Sequence, residues 1–402
     1  MKKRAIPFSS PRLGRKEFRA VHRVLKSGWL TTGGENRLFE EEFAGHTGAA
    51  HALSVNSATS ALHLILEALE VGVNDWVITT PYTFTASSEV LRYLGAHPLF
   101  VDIDETGNID PREIEKVLKE NEKSSQPKSI KAILPVHLAG LACDMNRIME
   151  ISRQYSLPVV EDCAHAFPVQ YPLESEGKEK YLGTIGAGGA FSFYANKTIT
   201  TGEGGMVTVN REDLKKRISL MRLHGIDRDV WNRYSSSAGH LSWQYDIKAP
   251  GFKYNLTNFQ AAIGRIQLKK AVSMKKDRTE QALRYNEAFK GIPGLETPPV
   301  GDDHAWHIYM LRLNLNELSL GRDEFIKELY DRGINCSVHY RPLHMMSYYR
   351  DTYSFQNKDY PRSRELYERT LSLPLYSGLK KRDQSRVIKA VIETAERFGS
   401  KT

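Results

Sequence analysis

Cysteine is scarce, with Cys143, Cys163 and Cys336 the only three in 402 residues. Three thiols build no disulfide framework and suit a reducing compartment, so a cytoplasmic location is expected. Apolar runs are short; none approaches the roughly 20 residues that span a bilayer, and no membrane insertion is expected. The opening "MKKR" is a basic tip with no apolar core behind it, which argues against a secretory signal. A Walker A sequence is missing. The segment "GTIGAGG" does not place G-x-G-x-x-G in a strand-to-helix turn, and no acidic residue follows at the right distance, so the dinucleotide fingerprint is missing too. There is no internal repeat and no low-complexity tail. Fifty-six basic side chains face 48 acidic ones, and the formal excess of +8 is not gathered into a stripe with interleaved aromatics. Nucleic acid is therefore not an expected partner, whereas an anionic small molecule is compatible with the charge.

What is present is the alternation of strand and helix. Arg15 to Lys26 reads as an amphipathic helix stopped by Gly28, and "LFEEEFAGHTG" as another short helix. "HALSV" then reads as a strand that turns through small residues into a helix from about Thr59 to Leu69. The rhythm repeats in "DWVITTP", "HPLFVDID", "KAILPVH" and "LPVVEDC", each separated from the next by a helical pattern of ten or more residues. Nearly continuous apolar strands joined in this way predict an α/β fold whose mostly parallel sheet is covered on both faces. Ligand chemistry in such a sheet belongs at the carboxyl ends of its strands. Ala190 to Tyr194 and Met206 to Val209 lie too close for a crossover and read as a hairpin. The stretch from "TNFQAAIG" to "NEAFKG" reads as one long bridging helix, and "WHIYMLRL" and "INCSVHY" as strands beyond it. The chain thus divides into a large domain, 1–250, with an N-terminal helical segment, and a region 251–402 holding the bridging helix and a smaller C-terminal α/β domain.

Three features fall after strands of the one sheet. Asp162 ends an apolar strand; it is either a turn former or a buried carboxylate that needs a cationic or donor partner. Lys197 lies in "GAFSFYANKTITTGEGGMV", where it is either an ordinary surface amine or one held near the sheet edge as a Schiff-base nucleophile. Ser57 to Ser60 stand at a strand-to-helix junction, which is a plain cap or a phosphate cradle. Pyridoxal phosphate requires such a set: a phosphate anchor, a lysine for its aldehyde and an anion for its pyridine nitrogen. An aromatic to cover the ring is available in Phe84 or Tyr82. A zinc site assembled from His137, Cys143, Cys163 and His165 lacks any short Cys-x-x-Cys pair, and no metal is expected.

With these residues in place, the chain resembles the DegT/DnrJ/EryC1/StrS family of pyridoxal-phosphate-dependent nucleotide-sugar aminotransferases, of fold type I. The likeness is carried by "SGWLTTGG", "SVNSATSALHL", "TTPYTFTASSEVLRYLGAHPLFVDID", "ILPVHLAG", "VVEDCAHAF", "GFKYNLTNFQAAIGRIQL", "SVHYRPLH" and "SLPLYSGL", in order along the chain. The resemblance implies a seven-stranded, mostly parallel sheet in the large domain. It implies Lys197 as the catalytic lysine that holds the cofactor covalently as an aldimine, with pyridoxamine phosphate as the intermediate form. Asp162 would pair with the ring nitrogen; Ala58, Thr59 and Ser192 would bind phosphate; Phe84 would stack on the ring, and His165 would lie on its hydroxyl side. Asn255 would reach the phosphate of the other subunit in a homodimer with shared sites. Trp29, Thr31, Tyr82, His224, His339 and Tyr340 are looser candidates for the substrate side, and Arg228, Arg233, Arg341 and His344 for the nucleotide. The partners implied are L-glutamate and a nucleotide-linked keto sugar, foremost a UDP-linked 4-keto hexose. Amination at C3, a dTDP-linked sugar or a regulatory homologue are the alternatives. A lysine at 197 separates the chain from related dehydratases that carry histidine there. Glu203 has no assigned role.

Overall fold

The computed structural model describes residues 4–227, 245–301 and 303–399. Arg228 and Arg233 lie outside the described residues.

Nine strands are needed to describe the first half of the chain: β1 (His51–Val55), β2 (Trp76–Thr79), β3 (His97–Phe100), β4 (Ile130–Ile133), β5 (Val160–Asp162), β6 (Gln170–Leu173), β7 (Lys178–Tyr181), β8 (Gly188–Ser192) and β9 (Gly205–Val209). Hydrogen bonding gives a four-stranded set in the order β1-β9-β8-β5 and a three-stranded set β3-β2-β4. Parallel bridges from Ile133 to Val159 and from Val136 to Asp162 join β4 to β5, so the two sets form one layer of seven strands. Only β9 runs against the others, pairing antiparallel with both β8 and β1. The carboxyl ends of β1, β2, β5 and β8 consequently share one edge. The β8–β9 pair is the hairpin read from the sequence, whereas the β6–β7 hairpin was not anticipated.

Consecutive strand residues point to opposite faces, and each face has its own core. Leu53, Val77, Ala132, Val160, Ala190 and Val207 belong to one. Ala52, Ile78, Ile133, Val159, Phe191 and Met206 belong to the other. This is why the strands read as unbroken apolar runs. On the first face lies α3, which follows helices α1 (Arg15–Ser27) and α2 (Gly34–Thr47) and spans Ala58–Ala68. Gly28 ends α1 in the left-handed region at φ 72°, as the sequence predicts.

Beyond residue 245 two readings are corrected. The bridging helix is two helices, Asn258–Leu268 and Ala271–Phe289, broken at Lys269 and Lys270. The first packs on α1 and α2, while the second sends Ala282, Tyr285 and Phe289 into a separate C-terminal core. One straight helix cannot serve both. "INCSVHY" is not a strand: it makes only isolated bridges, Ile334 with Ile6 and Ser337 with Ser372. The segment instead bends so that His339 and Tyr340 reach the main cavity. The C-terminal sheet is β10 (Leu295–Glu296), β11 (Tyr309–Leu313) and β12 (Thr370–Leu373), antiparallel throughout. Among the described residues no helix is long and apolar enough to cross a membrane.

Candidate active site

At the shared edge of the sheet lies a cavity of about 500 Å³, within the usual range of small-molecule sites. Its walls bring together Ala58, Thr59, Phe84, Asp162, His165, Ser192, Lys197, His339 and Tyr340. These come from the ends of β1, β2, β5 and β8 and from the bent segment of the C-terminal region.

Ser57 ends the β1 connection and caps α3, its hydroxyl accepting from the Ser60 amide at 3.1 Å. That cap leaves the amides of Ala58 and Thr59 at the helix start, ahead of the i to i−4 ladder, where a helix can bind an anion, and both residues line the cavity. Gly205 allows β9 to pass directly against this turn. A Cβ there would lie 2.5 Å from the Ser57 carbonyl carbon and 2.8 Å from the Ala58 nitrogen. Gly205→Ala is accordingly expected to push the turn aside, at about 2 kcal/mol of overpacking. For the pyridoxal phosphate that the sequence resemblance implies, the expected readout is faster loss on dialysis, followed by absorbance; wild-type retention would show that the turn absorbs the methyl group.

Asp162 is 5% exposed. One carboxylate oxygen accepts from the Ser87 hydroxyl at 2.8 Å and the other from the Ala164 amide at 3.0 Å. Among the described residues no cation lies within ion-pair distance of it. Burial pushes its pKa up, against the pull of the Ala164 amide, the Ser87 hydroxyl and Lys197. The carboxylate is therefore short of a cationic N–H partner. Lys197 shows the complementary effect. Burial is the largest influence on its amine and lowers the pKa to about 7; Asp162 opposes the shift and Arg278 adds to it. A substantial share of the amine is thus a free base near neutral pH. Lys197 Nζ lies 3.4 Å from His307 Nε2.

The aromatic wall is built from several elements. Tyr340 Oη and His165 Nε2 lie 3.1 Å apart, and the Phe84 ring tilts against Tyr340 with centroids separated by 5.9 Å. Phe84 remains 57% exposed, a free ring face at the cavity. His165 Nδ1 is buried without a partner. His339 is fixed by the Ser372 hydroxyl, 2.8 Å from its Nδ1, and by the stacked ring of Phe8. Burial holds His165, His307 and His339 neutral, with the Lys197 charge adding to the effect.

The other predicted site residues lie elsewhere. Tyr82 is fully buried in a satellite core, and its hydroxyl donates to the His339 carbonyl at 3.1 Å. It touches the wall from behind rather than facing the cavity. Asn255 donates to the Thr32 hydroxyl at 2.7 Å, outside the cavity of its own chain. Trp29 donates to the Thr32 carbonyl, Thr31 is exposed beside it, and His224 is exposed with φ 61°. Arg341 lines a neighbouring groove with Tyr348 and Arg92, and His344 is buried against Tyr360. Glu203 is exposed at the cavity rim, where its carbonyl accepts from the Thr201 hydroxyl and the Gln260 amide, tying the glycine turn to helix Asn258–Leu268.

Sequence reasoning missed Ser87 and His307. Ser87 could have been found from its place three residues after Phe84, in the first turn of helix Ala86–Tyr93. His307 sits inside "WHIYM", which reads as strand, and nothing local distinguishes it from a core residue.

The cluster of His137, Glu161 and Cys163 brings one potential ligand atom from each within 4.8 Å, fully buried. The polar atoms of His137 and Glu161 are engaged within the chain. Glu161 accepts from the amides of Gly183, Ile185 and Gly186, so the "GTIGAGG" loop folds around this carboxylate. His137 Nδ1 accepts from the Cys143 amide, which puts the ring proton on Nε2, facing Glu161 at 3.4 Å. In that tautomer no histidine lone pair is free for an ion. His165, drawn into the same set from sequence, bonds toward Tyr340 instead.

Comparison with known proteins gives a consistent result. The profile of the DegT/DnrJ/EryC1/StrS aminotransferase family matches residues 11–392. The chain is 43% identical over 390 residues to the spore coat polysaccharide biosynthesis protein SpsC of Bacillus subtilis, covering 96% of each chain. An uncharacterized protein of Methanocaldococcus jannaschii is 46% identical over 389 residues, again with 96% of each chain covered. Among solved structures, PseC of Helicobacter pylori, an aminotransferase of pseudaminic acid biosynthesis, superposes with a TM-score of 0.87 at 30% identity, covering 98% of this chain and 100% of that one. Spr1654 of Streptococcus pneumoniae in its PMP form gives the same TM-score and identity, with coverage of 98% and 99%.

Proposed function

Because the chain belongs to the DegT/DnrJ/EryC1/StrS aminotransferase family, whose members act on sugar nucleotides with pyridoxal phosphate, we propose that it transfers the amino group of L-glutamate to a UDP-linked 4-keto hexose. The observation that carries the reading is the meeting of the Lys197 amine, the Asp162 carboxylate and the α3 amino terminus in one cavity. The 4-keto preference is supported by the resemblance of the sequence of residues 243–264, "WQYDIKAPGFKYNLTNFQAAIG", to members that aminate C4.

The residues present fit the cofactor. Ala58 and Thr59 with the Ser192 hydroxyl would hold its phosphate, Asp162 its ring nitrogen, Phe84 one ring face and His165 the hydroxyl side, while Lys197 would take the aldehyde. His165 Nδ1, buried without a partner, and Asp162, which accepts from two neutral donors but has no cation beside it, are the two buried groups such a ring would satisfy. When bound, pyridoxal phosphate supplies a carbonyl for the incoming amine and a cationic ring that draws electrons from the neighbouring carbon.

The chain's own residues then perform the proton chemistry. Once its amine is free, Lys197 is a base close to its optimum at neutral pH, because burial lowers its pKa to about 7. It removes the α proton of the amino donor; in the second half it delivers a proton to the sugar carbon that becomes amine-bearing. His307 Nε2, 3.4 Å from Nζ, is placed to hydrogen-bond the amine between these events. Asp162, held by the Ser87 hydroxyl and the Ala164 amide, would offer the ring nitrogen a negative charge fixed in place, a preorganised electrostatic contribution. Asn255, outside the cavity of its own chain, supports a homodimer with shared sites, and the three free cysteines support a cytoplasmic location.

The test is to add L-glutamate to dialysed, pyridoxal-phosphate-loaded protein. Absorbance near about 400 nm is expected to fall as absorbance near about 330 nm rises, the ordinary signature of the cofactor accepting an amino group. Subsequent UDP-linked 4-keto hexose is expected to reverse the change, with the new amine placed at C4 by NMR. No change on adding glutamate overturns the donor, and an amine at C3 overturns the position.

A further inference from the structure

Helix Ala271–Phe289 buries Ala271, Met274, Arg278, Gln281, Ala282, Tyr285 and Phe289, the i, i+3, i+4 stripe of a core-facing helix. Arg278 occupies a position in that stripe where the spacing calls for an apolar side chain. It is 2% exposed. No ion pair to it exists among the described residues; the adjacent Asp277 lies 3.8 Å from Arg12 instead. A buried guanidinium without a carboxylate is costly, and burial lowers its pKa to about 10, which still leaves it charged at neutral pH.

Its bonds run only to backbone carbonyls. Nη1 donates to Trp306, His307 and Leu375 at 3.3, 3.2 and 3.1 Å, and Nη2 donates to Asn196 at 3.4 Å. Nε has no partner. Asn196 immediately precedes Lys197, and His307 is the residue whose ring faces Lys197 Nζ. One guanidinium therefore joins the turn that carries the reacting amine to the C-terminal segment that receives it.

We propose that Arg278 is a positioning residue for Lys197: its guanidinium clamps the Asn196–Lys197 turn to the His307 segment and sets a fixed positive charge behind the amine. The inference rests on the reading of Lys197 as the reacting amine. The groups that face that amine are few. Asp162, from the end of β5, favours the charged form, and Arg278 disfavours it. His165, His307 and His339 approach from the β5 connection, the entry to β11 and the 337–344 segment, and burial keeps all three uncharged. Arg278 is thus the charge that offsets Asp162. A carbonyl cage suits this task better than a carboxylate partner, which would cancel the field at Lys197.

The experiment measures Lys197 directly in the full-length chain freed of cofactor, by trace acetylation across a pH series with mass-spectrometric quantification. Wild type is expected to show a midpoint of about 7. Arg278→Gln, which keeps donors for the carbonyls but loses the charge, is expected to move the midpoint up by about one pH unit, and Arg278→Met by a similar amount. Arg278→Lys, which keeps the charge, is expected to stay closer to wild type than either. Circular dichroism establishes that each variant is folded. An unmoved midpoint in folded Arg278→Gln overturns the proposal, as does an equal shift in Arg278→Lys. Failure of both neutral variants to fold overturns it too, because Arg278 then serves the junction between the two regions alone. The readout needs neither cofactor nor substrate, so its failure is separate from failure of the glutamate experiment.

Discussion

Lys197→Ala is expected to lower transamination turnover by about 10⁴-fold or more while leaving the chain folded, because one side chain supplies both the nucleophile and the proton carrier. The effect is large because no neighbour substitutes for the amine. His165, His307 and His339 border Lys197, but burial keeps each a weak base. The alanine variant still presents the Ala58 and Thr59 amides, Asp162 and Phe84, so pyridoxal phosphate is expected to bind without a covalent link and to wash out on dialysis. A small primary amine added to the assay is expected to restore part of the rate, since it can enter the space the side chain leaves. Measurement is by product formation under saturating donor and acceptor. Turnover at the parent rate in Lys197→Ala would assign the chemistry to another residue.

Asp162→Asn is expected to cost about 100- to 1,000-fold in kcat, the range for removing one preorganised electrostatic partner. The asparagine fills nearly the same volume, and Ser87 and Ala164 still have an oxygen to bond, so the fold is expected to persist. What disappears is the negative charge at the floor of the cavity. The same substitution removes the one charge that holds the Lys197 pKa up. Its midpoint is therefore expected to fall below about 7, which leaves more free base at neutral pH yet does not restore the rate. Opposite movement of the lysine midpoint and of kcat separates the two roles of Asp162. Equal kcat in wild type and Asp162→Asn would show that the carboxylate is only structural.

The legibility of the site followed the range of the interactions that build it. Asp162, Lys197 and the Ser57–Ser60 junction were readable because each closes a strand of a parallel sheet, and the ends of parallel strands share an edge whatever the remainder of the chain does. The bridge between β4 and β5 and the antiparallel β9 complete the layer those strands implied. His307 and Arg278 were not readable. Each occupies a position whose local pattern calls for core, and its importance depends on what stands opposite. His307 meets Lys197 across 110 positions of sequence, and Arg278 meets Asn196 across 82. "INCSVHY" was misread as strand for a related reason: its alternation is genuine, but the partners that would extend it are single residues, Ile6 and Ser372.

By itself the sequence determined the α/β layering, the strand ends that carry the cofactor-type residues, and the presence of a lysine at 197, on which the proposed transamination rests. Those properties depend on local periodicity and on side-chain chemistry at fixed points of a regular sheet. Tertiary structure alone decided which candidates face the cavity, leaving Tyr82 behind its wall and Asn255 outside it. It also decided the protonation of the central amine. A pKa is set by burial and by charges brought together from distant parts of the chain, and no residue spacing in the sequence encodes those distances.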